Sequence, residues 1–168
     1  MPVEIHRILT PTDFSDPSQQ VVTSAFELAQ TFGAKLPLLH VIDVPVYAIE
    51  VSLPLEDLER DARQKLALLY PEAGAAHVDV TRLVDLGVPY QRILETAAAE
   101  QVDLIVMATH GRTGLAHLVM GSVAERVVRL APCPVLAIRP PGGRSIVLPT
   151  PCWGEGGGRQ VPCLWGEV

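Results

Sequence analysis

A segment in the second half of the chain combines glycines, an arginine and hydroxyl groups at a spacing suited to holding phosphate. Residues 108–122 read Ala-Thr-His-Gly-Arg-Thr-Gly-Leu-Ala-His-Leu-Val-Met-Gly-Ser, so Gly111 and Gly114 precede Gly121 and Ser122. Glycine allows positive φ and a close approach of a ligand to the backbone. A helix beginning at Ser122 would add unpaired N–H groups and the positive end of its dipole. The segment therefore predicts either a cradle for a di- or triphosphate or a crossover that needs glycine only for its turns.

A second group of polar residues follows the first apolar run of the chain. Ile8 and Leu9 are followed by the segment Thr-Pro-Thr-Asp-Phe-Ser at residues 10–15. A carboxylate such as Asp13 often caps the turn after a strand. We favour a binding role for Asp13, because it would lie at the carboxyl end of a strand, opposite the glycine-containing segment.

Several familiar catalytic and nucleotide-binding motifs are missing from the sequence. The only lysines, Lys35 and Lys65, lie outside the glycine-containing segment, so no Gly-x4-Gly-Lys-Ser/Thr motif exists. The histidines show no metal-ligand spacing, and the three cysteines form no Cys-x-x-Cys pair. Ser122, His110 and Asp13 can be drawn as a triad, but no nucleophile elbow surrounds the serine. We therefore expect a protein that is not an enzyme and has no metal site built from side chains.

Composition limits the class of protein further. The chain has 168 residues, of which 48% are hydrophobic, enough for one domain with a buried core. Its formal net charge of −6 disfavours a general nucleic-acid binder, which needs a basic surface. No apolar run approaches the roughly 20 residues that span a bilayer, and the N-terminus lacks a secretory pattern. We expect a cytoplasmic protein that binds neither nucleic acid nor a membrane.

The elements that would position the polar segments alternate between strands and helices. Apolar runs predict strands at residues 7–11, 35–43, 77–83, 103–108 and 134–138. Helical periodicity predicts helices that begin at Asp16, Leu55, Pro89 and Ser122, and the capping patterns make Asp16 and Ser122 the N-caps of their helices. This order predicts an α/β, Rossmann-like three-layer sandwich with a five-stranded, mainly parallel sheet and helices on both faces. Ligands of such sheets bind beyond the carboxyl ends of the strands, where the strand order reverses.

The composition changes near residue 140. Residues 140–168 contain five prolines and seven glycines, a mixture that neither propagates helices nor pairs well in sheets. We expect residues 1–139 to form the domain and residues 140–168 to form a loop-like or disordered tail. The tail also carries Trp153 and Trp165, so a docking segment that packs through tryptophan is the alternative.

Three segments together resemble the universal stress protein family. In ATP-binding members the fourth-strand loop follows Gly-x2-Gly-x9-Gly-Ser/Thr, and Gly111 with Gly121 and Ser122 match the second half of that motif. Residues 9–15 resemble the adenine-side segment of the family, and residues 131–136 resemble the entry into its last strand. The resemblance covers residues 5–139. One position departs from the motif, because Ala108 replaces the first glycine, and its methyl group would weaken binding if positive φ were required there.

The resemblance implies an ATP site with Mg²⁺. The residues that would form it are Pro11, Thr12, Asp13, Val41, Ala108, Thr109, His110, Gly111, Arg112, Thr113, Gly114, Gly121, Ser122, Val123 and Ala124. By this resemblance the first four would border the nucleoside, with the Asp13 carboxylate accepting from the ribose hydroxyls or the adenine amine. Residues 108–114 would wrap the ribose and phosphates, and residues 121–124 would hold the outer phosphates.

The resemblance also implies a stress-response or regulatory role and a homodimer. Family members commonly pair their last strands, which here would be Pro134, Val135, Leu136, Ala137 and Ile138. Two alternatives stay open. The chain is either a dimeric interaction protein that binds no nucleotide or a slow ATPase, although its glycine-containing segment offers one arginine, no lysine and no acidic residue for phosphoryl transfer.

Overall fold

The computed structural model describes residues 4–44, 54–69, 78–110, 120–139 and 146–148. Within these ranges, strands and helices alternate as the apolar periodicity predicts. The elements are β1 (Ile8–Pro11), α1 (Asp16–Phe32), β2 (Leu36–Ile42), α2 (Leu55–Leu69), β3 (Val80–Leu86), α3 (Pro89–Ala99), β4 (Leu104–Ala108), α4 (Ser122–Leu130), β5 (Val135–Ile138) and β6 (Ile146–Leu148). None of the described helices is long and apolar enough to cross a membrane.

The strands form one sheet in the order β3-β2-β1-β4-β5-β6. The first five strands are parallel, which confirms the predicted parallel sheet, and β6 is antiparallel to β5. β2 and β3 lie on one side of β1. The chain then crosses over β1, and β4, β5 and β6 lie on its other side. The strand order therefore reverses between β1 and β4, and the carboxyl ends of these two strands flank the expected ligand position.

Two apolar layers cover the two faces of the sheet. Ile8 packs into the cluster that contains Val22 and Phe26 of α1, whereas its neighbour Leu9 packs into the cluster that contains Ile93 of α3 and Val127 of α4. Successive side chains of a strand point to opposite faces, so a strand between two helical layers must be apolar throughout. Burial of each such side chain contributes about 1.5–3 kcal/mol, which holds the carboxyl ends of the strands in place.

The third strand begins and ends three residues later than the sequence pattern suggests. Alternation predicts a strand at residues 77–83, but β3 spans Val80–Leu86 and pairs along its whole length with β2. Gly87, with φ of +133°, ends the strand. The difference arises because pairing with the neighbouring strand, rather than local alternation, determines where an edge strand begins.

β6 corrects two expectations from the sequence. Composition predicts a loop or disorder throughout residues 140–168, but Ile146–Leu148 forms a strand, so that prediction is wrong for these three residues. The apolar triplet Ile-Val-Leu forms a strand inside a stretch that is otherwise rich in proline and glycine. In addition, β5 is not the edge of the sheet, because β6 pairs with Val135, Leu136 and Ala137. The strand edge predicted to form a homodimer is therefore covered by the chain itself. Trp153 and Trp165 lie outside the described residues.

Cys133, just before β5, is buried and belongs to the apolar cluster under α3 and α4. Burial, with a smaller contribution from the nearby Asp103 carboxylate, raises the pKa of its thiol to about 11. The thiol is therefore protonated at neutral pH, as is typical of a small buried cysteine without redox chemistry.

Candidate functional site

Internal hydrogen bonds fix the shape of the loop between β1 and α1. The backbone N–H of Thr12 donates to the carbonyl of Leu39 at 2.9 Å, which extends the pairing of β1 with β2. The buried Thr12 hydroxyl accepts from the N–H of Phe14 at 3.1 Å and lies 3.0 Å from the hydroxyl of Ser18. The Ser18 hydroxyl in turn donates to the carbonyl of Ser15. The hydroxyls of Thr12 and Ser18 therefore bind groups of this loop and of the first turn of α1.

Asp13 has a structural role in this loop. One oxygen of its carboxylate accepts from the N–H and from the hydroxyl of Ser15, at 3.1 and 2.5 Å. Ser15, rather than the predicted Asp16, is the N-cap of α1, and its side chain accepts from the N–H of Ser18. The interpretation of Asp13 as a residue that organises the turn is thus confirmed, and its carboxylate also lines the cavity described below.

Phe14 is held in an unusual backbone conformation. Its φ of 65° lies in the left-handed region, which a bulky side chain rarely adopts without support from its surroundings. The Gln19 side chain donates to the Phe14 carbonyl at 3.0 Å, and the Phe14 ring lies 4.2 Å from the His40 ring. His40 Nδ1 donates to the carbonyl of Thr12 at 2.8 Å, and the Lys65 ammonium lies 5.8 Å from the Phe14 ring. Contacts from β2 and α2 therefore hold the aromatic ring at this position.

The junction between β4 and α4 lies on the other side of the switch point. Ala108 ends β4, and the N–H of Thr109 donates to the carbonyl of Ile138 in β5. The N–H of Gly121 donates to the carbonyl of Thr109 at 2.7 Å. The start of α4 therefore lies next to the end of β4. A Cβ atom on Gly121 would lie 3.3 Å from that carbonyl oxygen, which explains why glycine suits this close approach. Gly111, Arg112, Thr113 and Gly114 lie outside the described residues.

The first turn of α4 presents backbone donors. Gly121, not the predicted Ser122, is the N-cap, and within the described ranges no side chain accepts a capping hydrogen bond there. Ser122 is instead the first helical residue, and the first N–H with a helical acceptor is that of Glu125, which donates to Gly121. The N–H groups of Ser122, Val123 and Ala124 thus have no intrahelical acceptor, as helix geometry requires. Such a helix end favours an anion.

A cavity of about 650 Å³ lies between the first loop and the start of α4. It contains every predicted site residue that the structure describes, namely Pro11, Thr12, Asp13, Val41, Ala108, Thr109, His110, Gly121, Ser122, Val123 and Ala124. These residues come from three strand ends and one helix. The structure therefore brings together residues that the sequence separates by more than one hundred positions.

The cavity also has walls that the sequence pattern does not reveal. Lining residues outside the predicted set include Phe14, Ser18, Leu39, His40, Asp43, Leu58, Asp61, Lys65, Pro89, Ile93 and Met107. Phe14 and His40 could have been proposed, since each lies at or near the carboxyl end of a strand. The residues of α2 and α3 had no such signal, because their position depends on how these helices pack on the sheet.

The charges of the cavity are unevenly distributed. Its described carboxylates, those of Asp13, Asp43 and Asp61, come from the ends of β1 and β2 and from α2. Lys65 is the one lysine or arginine among the described lining residues, and its ammonium lies 2.7 Å from the Asp61 carboxylate. The N-terminus of α4 also lines the cavity, and α4 packs on the opposite face of the sheet from α2. One end of the cavity therefore favours groups that donate hydrogen bonds, and the other end favours an anion.

A metal site built from side chains is not visible in the described part of the chain. No group of three or more histidine, cysteine, aspartate or glutamate side chains is arranged there to hold an ion. A divalent cation at this cavity would thus have to bring most of its ligands with it, as Mg²⁺ does when it is bound to phosphates and water.

Comparison with known proteins agrees with these observations. The sequence profile of the universal stress protein family matches residues 4–139. This chain belongs to the universal stress protein family. It is 36% identical over 143 residues to universal stress protein MJ0531 of Methanocaldococcus jannaschii, covering 80% of this chain and 82% of the relative. The stress-response family predicted from the sequence is therefore confirmed.

Solved universal stress proteins share the fold. The structure of MJ0577, also from Methanocaldococcus jannaschii, superimposes with a TM-score of 0.72 at 29% identity and covers 84% of this chain and all of that one. A universal stress protein in complex with cAMP superimposes with a TM-score of 0.57 at 24% identity, covering 80% of this chain and 97% of the other. At that identity the second likeness shows the fold alone.

Ala108 is the position at which this universal stress protein departs from the ATP motif. Ala108 is 8% exposed, pairs with Ile138 and belongs to the apolar cluster under α1. Among the described residues other than glycine, only Phe14 and Gln101 have positive φ. The backbone at Ala108 is therefore ordinary extended strand, and alanine fits it without strain.

Proposed function

We propose that this universal stress protein binds ATP, together with Mg²⁺, in the cavity between β1 and β4. The observation that carries the proposal is the division of the cavity into a carboxylate-lined end and a helix N-terminus. A nucleotide has the matching division, because its base and ribose donate hydrogen bonds and its phosphates are anionic. We therefore place the nucleoside at β1 and β2 and the phosphates at α4.

At the nucleoside end, apolar and acidic groups occur together. Pro11, Val41 and the Phe14 ring offer surfaces on which a base can pack, and Val41 packs on the apolar layer under α3 and α4. The carboxylates of Asp13 and Asp43 can accept hydrogen bonds from ribose hydroxyls or an exocyclic amine. This combination suits a nucleoside better than a bare phosphate.

At the phosphate end, the donors belong to the backbone. The N–H groups of Ser122, Val123 and Ala124 lie in the first turn of α4, and the Ser122 hydroxyl is not used as a cap. We include residues 111–114 in the phosphate cradle, because Thr109 and Gly121, on either side of this segment in the sequence, line the cavity. Arg112 would add a guanidinium to this group, with its charge opposite to that of the phosphates.

The proposal assigns binding rather than catalysis to the site. Phosphoryl transfer needs cationic stabilisation of the transferred group and a positioned nucleophile. Lys65 is paired with Asp61 and belongs to α2, which packs on the opposite face of the sheet from α4. Mg²⁺ would enter with the phosphates and reduce their charge. A regulatory protein that responds to nucleotide fits this arrangement better than an ATPase does.

The proposal also covers the oligomeric state of the protein and its cellular compartment. We propose that two copies associate through β5, which requires β6 to leave that edge of the sheet. We also place the protein in the cytoplasm and propose no partnership with nucleic acid or membrane, consistent with its net charge of −6.

Calorimetric titration of the full chain with ATP and Mg²⁺ tests the nucleotide proposal. Ser122→Pro is the informative variant, since proline is well tolerated at the first position of a helix and removes one N–H from the proposed phosphate site. The chain already uses proline at the start of α1 and α3. We expect Ser122→Pro to weaken ATP binding at least about tenfold, which corresponds to about 1.4 kcal/mol.

Ser122→Ala is the matched control, because it removes the hydroxyl and keeps the N–H. We expect its ATP affinity to stay within about threefold of that of the unaltered chain, a difference below about 0.7 kcal/mol. Absence of binding by the unaltered chain at high micromolar ATP would favour a protein that interacts without nucleotide. Repeated release of phosphate that is lost in Asp13→Asn would favour an ATPase.

A further inference from the structure

We propose that β6 takes the place of a strand from a second copy of the chain, so that the full chain stays monomeric while β6 is paired and dimerises when β6 is released. This inference rests on the proposed association through β5. It adds a segment of the same chain that competes with the partner for one strand edge.

The competition arises from the position of β5 in the sheet. β4 pairs with one edge of β5, through contacts that run from Ile105 with Val135 to Ala108 with Ile138. β6 pairs with the other edge, from Val135 with Leu148 to Ala137 with Ile146. Removal of β6 would leave unpaired N–H and carbonyl groups on β5, and such an edge pairs readily with another strand.

The direction of β6 is the direction that a second copy would impose. β1 to β5 are all parallel, and β6 is antiparallel to them. Two identical strands related by a two-fold axis perpendicular to their sheet also run antiparallel. β6 therefore lies where the β5 strand of a second copy would lie, and it has the same orientation.

The side chains of β5 fit pairing with an identical strand. Val135 and Ala137 are buried, whereas Leu136 and Ile138 are half-buried and pack at the margin of the apolar cluster under α1. In an antiparallel pair of β5 strands, the Leu136 and Ile138 side chains of both copies would lie on the same face. The two copies would thus extend one apolar surface that a single chain leaves partly exposed.

β6 is suited to being displaced. It has three residues, one fewer than β5, and pairs with Val135, Leu136 and Ala137 but not with Ile138. Pro149 follows it directly, and proline has no N–H with which to extend the ladder. A strand this short contributes few hydrogen bonds, so an event that removes them can expose β5.

The test compares the molar mass of the unaltered full chain with that of full-length proline variants, by light scattering over a range of concentrations. Neighbouring residues of an antiparallel strand direct their N–H groups to opposite sides. We therefore use two variants, Val147→Pro and the double change Ile146→Pro with Leu148→Pro. Between them they remove every N–H group of β6, so at least one of them removes the N–H groups that face β5. Val161→Pro is the control, since it places proline in the same tail outside β6.

We expect the unaltered chain and the Val161→Pro control to be monomers and at least one β6 variant to be a dimer. Adding Leu136→Lys to that variant should restore the monomer, because two ammonium groups would then meet at the interface. Circular dichroism confirms that each variant is folded. A dimeric unaltered chain that keeps its mass in the β6 variants would overturn the competition but leave the dimer intact.

Two other results would also overturn the inference. Monomers throughout would remove both the competition and the proposed association through β5, and a dimeric control would show that the effect is not specific to β6. ATP titration of the same samples reports separately on the cavity, because β6 is not among its described lining residues. Failure of the β6 inference is therefore distinguishable from failure of nucleotide binding.

Discussion

The loop after β1 and the junction after β4 face each other across the same cavity and are built in opposite ways. In the first, the hydroxyl of Thr12 and the carboxylate of Asp13 are engaged by neighbouring residues of the loop. In the second, the first-turn N–H groups of α4 have no intrahelical acceptor, and no side chain of the described residues caps them. Polar groups that are satisfied internally determine the shape of a site, and groups left without an acceptor are the ones available to a ligand.

The two regions also differ in backbone strain. Phe14 adopts positive φ and depends on contacts with His40 and Gln19, whereas Ala108 continues an ordinary strand. Strain of this kind persists only where the surroundings impose it. The first loop is therefore expected to be sensitive to substitutions that remove its internal contacts, and the second region to substitutions that remove donors.

The largest effect that separates the two regions is expected in stability. Thr12→Val removes the hydroxyl that accepts from the N–H of Phe14, and this N–H would then lack its acceptor in a half-buried loop. We expect the free energy of unfolding to fall by about 2 kcal/mol, as for a buried donor left unsatisfied. Chemical denaturation with urea measures this change.

Thr109→Val is the matched comparison, since Thr109 is also a buried threonine at a strand end. Its hydroxyl lies 3.0 Å from His110 Nδ1, and its own N–H bond to Ile138 would be unaffected. We expect a loss of about 1 kcal/mol, one ordinary hydrogen bond. Equal losses in the two variants would contradict the view that the first loop depends more strongly on its internal contacts.

Changes of intermediate size are expected in ligand affinity, and they should distinguish the nucleoside end of the cavity from the phosphate end. Asp13→Asn keeps an oxygen that can accept from Ser15 and removes the negative charge at the nucleoside end. We expect it to weaken adenosine, AMP and ATP by a similar factor of about five, or about 1 kcal/mol. Ser122→Pro should instead spare adenosine and weaken ATP. Titration with the three ligands measures both patterns, and a loss confined to ATP in Asp13→Asn would reverse our orientation of the ligand.

The smallest effect is expected at the position that departs from the family motif. Ala108→Gly restores the glycine but removes a buried methyl group and loosens a strand. We expect stability to fall by about 0.5–1 kcal/mol and ATP affinity to stay within about twofold. Thermal unfolding and calorimetry measure the two quantities. A tenfold gain in affinity would show that the methyl group obstructs the ligand after all.

Particular elements show how far the sequence could be interpreted. The parallel arrangement of β1 to β5 could be predicted because apolar runs typical of strands alternate along the chain with stretches of helical periodicity. The bounds predicted for β3 from local alternation were wrong, because the pairing of β3 with β2 places the strand three residues later in the chain. The N-cap predicted at Ser122 was also wrong, because capping signals do not distinguish a cap from the first helical residue.

The candidate site divides in the same way. Asp13, Gly121 and Ser122 could be named from the sequence, because they belong to short segments between a strand and a helix. Asp61 and Lys65 could not, since nothing in α2 distinguishes the residues that border the cavity from those that face solvent.

The sequence by itself therefore determined the family, the parallel core and the two segments that border the cavity, because these depend on periodicity and on residues near one another in the chain. Only the tertiary structure decided that α2 supplies a wall with an ion pair, that Phe14 is strained, and that β6 covers β5. These features depend on contacts between distant parts of the chain, whose free energy is set by packing and pairing rather than by local preference.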